Sequence, residues 1–270
     1  MRRRQYRWLA LGAALFSLAC GNKVLKDAQK YVDVKEYGKA KELLELEIKS
    51  DPKNVDAYLL LGKVRLMDRE PDGASESFDK ALILSTKAKG KIAGAYLEAA
   101  KTLYSDKDKK GRSGRAIRLY LEKATTYDPD FKKEVAAWAL EEAEKATATE
   151  KTTDPIDLLS FAGETDADSR KGIGTFALKT AKAYQEKNFL PEAISWGLLA
   201  GDMSADVLKD AAGVLRDAAI MLPLPEERDR AKAALAKAFQ WNPALEEDDD
   251  SFWVSRVKLG DSAMEGAKAY

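Results

Sequence analysis

Small and aromatic residues recur along this chain at a spacing of about 34. Ala28, Tyr31, Ala40 and Leu44 are followed 34 positions later by Gly62, Arg65, Ala74 and Phe78, and the pair Asp51-Pro52 by Ser85-Thr86. Two antiparallel helices approach closely only where side chains are small, and large residues then fill the adjoining grooves. Gly62, Ala74 and Ala81 are therefore expected at helix crossings, with Tyr58 and Phe78 beside them. The pattern resumes as Tyr96, Ala100 and Leu103, then Ala116, Tyr120, Ala124 and Asp128-Pro129, with the turn between the two helices lengthened over 105–114. A unit this short cannot bury its apolar face alone, so neighbours must stack. Alternating Val/Ile/Thr runs are absent, which argues against strands. Asp-Pro stops a helix, because proline disfavours helical geometry in the residue before it.

Beyond 131 the pattern weakens and then returns. Residues 131–147 read as one amphipathic helix, 148–155 as a linker, 156–162 as a short helix and 163–169 as polar. Ala181, Tyr184, Ala193 and Ala200 restore the repeat, with Pro191 in the first turn of a second helix. The last clear unit is Leu215, Ala219, Leu222, Ala231, Leu235, Ala238 and Asn242-Pro243. The acidic run Glu246–Asp250 is placed to open a final helix over 251–268 that caps the stack. Trp138, Trp196 and Trp241 are expected to fill gaps between repeats.

Tyr58-x2-Leu61-Gly62, then Ala74-x3-Phe78-x2-Ala81, resembles the tetratricopeptide repeat, although Arg65 stands where that family prefers tyrosine and Thr86 where it prefers proline. The resemblance implies an all-α fold: a right-handed superhelical solenoid of helix-turn-helix units, about five to six repeats, some degenerate. The blocks are 20–150 and 172–245, separated by a linker or degenerate segment at 151–171 and followed by the acidic run and capping helix at 246–270. In that family the first helix of each repeat lines a concave groove that binds peptide segments. By register, the groove here comprises Leu25, Gln29 and Val32, then Leu59, Lys63, Leu66 and Met67, then Leu97, Lys101 and Tyr104. Lys63 and Lys101 stand at equivalent places and would meet an acidic peptide. The family's chaperone-binding clamp is not expected, because Leu25 and Gln29 occupy the places of its first residues.

Residues 1–7 hold four arginines and no acid, an apolar run follows from Trp8 to Leu18, and Ala19-Cys20-Gly21 comes next. The run is too short to span a bilayer core, which needs about 20 residues. The order basic, apolar, small is that of a secretory signal. It resembles a bacterial lipoprotein signal, with Ser17 departing from the usual aliphatic residue. That resemblance implies a signal peptide over 1–19, acylation of Cys20, a palmitate-type anchor, and an outer-membrane lipoprotein facing the periplasm. Residues 20–270 carry 41 basic and 45 acidic side chains, so the chain as a whole has no basic bias for nucleic acid or anionic lipid.

Histidine is absent and Cys20 is the one cysteine, which removes Ser-His-Asp and Cys-His catalysis, histidine zinc sites and intrachain disulfides. Asp166 and Asp168 lie in a segment without the ligand set of a calcium loop. Gly172-Ile-Gly174 lacks the strand that a dinucleotide motif requires. Asp106–Arg112 reads as a solvated turn. No catalytic residue, metal or cofactor is expected. The expected function is a non-catalytic, lipid-anchored adaptor for protein–protein interactions in the cell envelope; assembly lipoproteins of outer-membrane β-barrels and type IV pilus pilotins share this architecture. The alternative is a ligand-binding component that accompanies a periplasmic solute transporter.

Overall fold

The computed structural model describes residues 23–105, 114–149, 152, 154–222 and 227–247. Cys20, the charged turn 106–112 and the expected helix over 251–268 lie outside them. Every regular element among the described residues is a helix. The helices are α1 (23–33), α2 (Tyr37–Ser50), α3 (Val55–Met67), α4 (Pro71–Leu84), α5 (Lys89–Ser105), α6 (Gly114–Tyr127) and α7 (Phe131–Thr149). They continue as α8 (Ile156–Thr165), α9 (Arg170–Glu186), α10 (Leu190–Met203), α11 (Leu208–Met221), α12 (Arg228–Trp241) and α13 (Ala244–Glu247). The chain packs as two compact units that divide between Phe131 and Lys132.

Within each unit the helices pair as hairpins: α3 with α4, α5 with α6, α9 with α10 and α11 with α12. First helices also lie against the next first helix, α3 on α5 and α9 on α11, and second helices pack likewise, α8 on α10 and α10 on α12. This is an all-α, tetratricopeptide-like solenoid. The turns repeat to the individual hydrogen bond. Asp51, Ser85, Asp128, Asp166, Ser204 and Asn242 each donate their backbone N–H to the carbonyl four residues earlier, which closes a second helix. Each of their carbonyls then accepts from the residue three positions later, which opens the next first helix. Inside three hairpins a left-handed residue makes the reversal: Lys35 (φ 60°), Arg69 (φ 62°) and Asn188 (φ 60°). The following N–H, of Glu36, Glu70 or Phe189, then reaches back to the carbonyl of Tyr31, Arg65 or Tyr184, each at 2.8 Å. That bond satisfies a helix-end carbonyl that would otherwise face water.

Among the described residues the same turn occurs six times. Asp128, Asp166, Ser204 and Asn242 stand 38 residues apart, so the second unit is regular, whereas the turns of the first, at Asp51, Ser85 and Asp128, are spaced 34 and then 43. The short helix expected over 156–162 extends to Thr165. Both α5 and α9 have 17 residues where α3 has 13. Four residues are close to one helical turn, so the buried face stays in phase.

Small residues sit where large ones cross them. A Cβ on Gly62 would fall 2.6 Å from Cδ1 of Phe78, a clash that the bare glycine avoids. Ala28, Ala40, Ala74 and Ala81 are wholly buried. The second unit repeats one knob and socket: the Met203 thioether fills the space over Gly163, and the Trp241 ring fills the space over Gly201, 38 residues on. Each knob lies at or next to the end of a second helix and each socket in the preceding second helix. Trp241 thus fills an inter-hairpin gap, as expected, and Lys237 Nζ stands 5.1 Å from its ring centroid.

Candidate functional site

The first helices carry the residues assigned to the groove, and the packing sorts them. Leu66 (3% exposed), Leu97 (2%) and Val32 (6%) are core residues, which removes them from a partner-facing surface. Leu66 and Leu97 lie on α3 and α5, which pack against α2, α4, α6 and each other, and Val32 packs with Ala40, Leu44, Leu61 and Val64. Leu25 and Met67 are half-buried against the cluster of Ala28, Val32, Ala40, Leu44, Leu61 and Val64. Gln29 donates its amide to Asp33 at 2.9 Å. Leu59, Lys63, Lys101 and Tyr104 are half-buried.

Lys63 does not stand alone. Its Nζ lies 2.8 Å from Glu98 on the adjacent first helix, and Lys91 pairs with Asp56 at 3.0 Å across the same two helices. The second unit has the same device: Lys133 with Asp168 (3.8 Å), Lys171 with Asp206 (2.8 Å) and Lys182 with Asp210 (2.9 Å). The Lys171 ammonium holds the Asp206 carboxyl below the usual carboxylate range. Apart from the half-buried Lys63, these side chains are exposed and the pairs individually weak. They leave Lys63 partly neutralised, which lowers the acidic-peptide preference expected from its charge alone. Asp166 and Asp168 are also structural. Asp166 accepts from the Ser169 hydroxyl, and Asp168 faces Lys133.

Arg65 has a role that its departure from the repeat pattern signalled but did not specify. From α3 it donates to the Gly73 carbonyl (2.9 Å) and the Ser77 hydroxyl (3.0 Å) on α4, and it reaches Glu45 on α2 (3.2 Å). One guanidinium thereby links three helices, which its five donors in a planar fork permit.

Next to this face, an aromatic cluster joins two hairpins of the first unit. Tyr96 lies 5.2 Å from Phe78, 5.9 Å from Tyr120 and 5.7 Å from Tyr127, ring centre to ring centre. Tyr96 shares a hydrogen bond with Ser75 (2.8 Å), and Tyr127 donates to Asp79 (2.8 Å). Burial raises the phenol pKa of all three tyrosines, and the hydrogen bond to Asp79 raises Tyr127 further. In the unfolded chain these phenols ionise near 10. Because the folded values are higher, this contribution is complete below about pH 10 and is lost as pH rises above it. The urea midpoint is therefore expected to fall between pH 9 and pH 11. The Tyr127→Phe variant should show a shallower fall; an unchanged slope would exclude Tyr127 as a source.

No group of metal-ligating side chains and no helix long and apolar enough to cross a membrane occurs among the described residues. No protein-family profile matches the chain, and no curated protein matches it. Solved structures do resemble it. PilW, described as a widely conserved type IV pilus biogenesis factor, is 17% identical over 88% of this chain and 98% of its own, with a TM-score of 0.32. The MamA protein is 14% identical over 86% and 97%, TM-score 0.30. PilF of Pseudomonas aeruginosa is 16% identical over 90% and 99%, TM-score 0.32. Superpositions this loose carry no argument about function, and the fold rests on the helix pairing and turn geometry described above.

Proposed function

We propose that this protein is a non-catalytic scaffold, held at a bacterial envelope membrane by an acylated Cys20, that docks protein partners on the first-helix face of its hairpins. The observation that carries this reading is the combination, in one chain, of a lone cysteine behind a basic and apolar leader with a stack of hairpins. The leader accounts for export and anchoring, and the stack presents Leu59, Lys63, Lys101 and Tyr104 on first helices, part apolar and part charged. Such mixed surfaces suit protein segments, where apolar contact supplies affinity and polar groups set register.

Two measurements test the two halves. Cells given a labelled palmitate analogue should label the wild type and not the Cys20→Ala variant; an unlabelled wild type removes the anchor. A photo-cross-linking amino acid at Leu59 or Tyr104 should capture the same protein in intact cells, while one at Ile83 on a second helix should not. Equal capture from all three positions would remove the docking face.

A further inference from the structure

Resting on that anchor reading, we propose that the outward face of α1, carrying Lys23, Lys26 and Lys30, contacts the anionic headgroups of the bilayer that holds Cys20. The chain between the anchor and the helix is very short. Only Gly21 and Asn22 separate Cys20 from Lys23. At about 3.3–3.6 Å of reach per residue, the first residue of α1 lies within roughly 11 Å of the acylated residue. There is no room for a tether that would lift the solenoid off the surface.

The helix presents the right groups there. Residues 23, 26 and 30 fall within one narrow arc at 100° per residue, and all three side chains are exposed. The opposite face holds Ala28 (0% exposed) and Val32 (6%) in the core. Two acids share the helix, and both are engaged: Asp27 by Lys30 at 2.7 Å and Asp33 by the Gln29 amide. Lys23 also acts on the Asp27 carboxylate through its charge, and Lys26 makes no ion pair among the described residues. Residues 23–35 hold four lysines against two aspartates, whereas residues 20–270 are acidic by four charges. The whole-chain balance hides this local excess. Basic groups beside an anionic surface are drawn to it within a Debye length, about 8 Å at physiological salt.

The sole cysteine makes a direct test possible. The chain from Cys20 onward contains every described residue, and its thiol can be coupled to a maleimide lipid, which restores a tether without the cell's acylation machinery. Amine-acylation rates of individual lysines are then read by mass spectrometry. On vesicles of phosphatidylglycerol in phosphatidylcholine, Lys23, Lys26 and Lys30 should react several-fold more slowly than on phosphatidylcholine alone. High salt should reverse the effect, and Lys49 and Lys80 on second helices should be unchanged. Equal rates on the two vesicles would overturn the proposal, as would protection spread evenly over all lysines. The uncoupled protein should also bind phosphatidylglycerol vesicles more weakly once Lys23, Lys26 and Lys30 are changed together to Glu, a substitution of exposed side chains that leaves the core intact. No loss of binding would likewise overturn it. Because coupling replaces acylation here, a failed palmitate label would count against the anchor, and unprotected lysines against the contact.

Discussion

Replacing Trp196 by alanine is expected to cost the second unit about 3–5 kcal/mol, the range for removing a large aromatic from a closed core. The side chain has no exposed surface. Its ring meets Phe176 nearly edge-on, 5.7 Å between centres, and its Nε1 donates to the Thr152 carbonyl at 2.9 Å. The Thr152 N–H in turn donates to the Tyr184 hydroxyl at 3.2 Å. Two side chains from the α9–α10 hairpin thus hold both backbone polar groups of one residue in the segment before α8. Alanine leaves a cavity and an unpaired carbonyl together. Trp196→Phe keeps most of the volume and loses the hydrogen bond, so its expected loss is about 1–2 kcal/mol. Urea unfolding followed by circular dichroism measures both. An alanine variant within 1 kcal/mol of wild type would show that the site collapses or that Thr152 finds another partner.

The second large effect is expected at Gly201. A Cβ there would meet the Trp241 ring, 2.8 Å from Cε3 and closer still to its neighbours. Alanine ordinarily stabilises a helix interior relative to glycine by about 1 kcal/mol. At Gly201 the overlap should outweigh that gain, giving a net loss of about 1–3 kcal/mol. Gly213 is the internal control, because a Cβ there meets nothing within 4 Å, and Gly213→Ala should stabilise by up to about 1 kcal/mol. The double variant Gly201→Ala with Trp241→Ala should lose less than the sum of its parts, by at least about 1 kcal/mol. Additive losses would mean that the indole is not the obstacle. The same logic applies to Gly163 and Met203 with a smaller effect, since a thioether moves aside more easily than an indole.

Ala74, Ala81, Gly62 and Phe78 were legible because a crossing between helices accepts few side chains. The breaks at Asp51, Asp128 and Asn242 were legible through the prolines that follow them, whereas Asp166 and Ser204 make the same turn without one. The 38-residue period was hidden because the added length falls in different places, a helical turn in α9 but the connection between Met221 and Arg228 in the α11–α12 hairpin. Among the residues assigned to the groove, register could not separate Leu66 and Leu97, which are core, from Leu59, which is half-exposed. Neighbouring positions on one helix differ in burial according to which second helix covers them, and that is a property of the stack. Arg65 shows the same limit. A departure from tyrosine was visible, but its reach to Gly73, Ser77 and Glu45 depends on where α2 and α4 lie.

By itself, the order of residues determined that the chain forms helical hairpins and where most of them end, because helix periodicity, small residues and proline act locally. It also determined what chemistry is missing, since a chain without histidine cannot place one. The tertiary structure alone decided which side chains remain available to a partner, which charges are already paired across hairpins, and which glycine receives which knob. Those outcomes depend on contacts between residues 35 to 40 positions apart, such as Lys63 with Glu98 and Gly201 with Trp241. Burial and pairing are set by the packed neighbour, so no single stretch of sequence contains them.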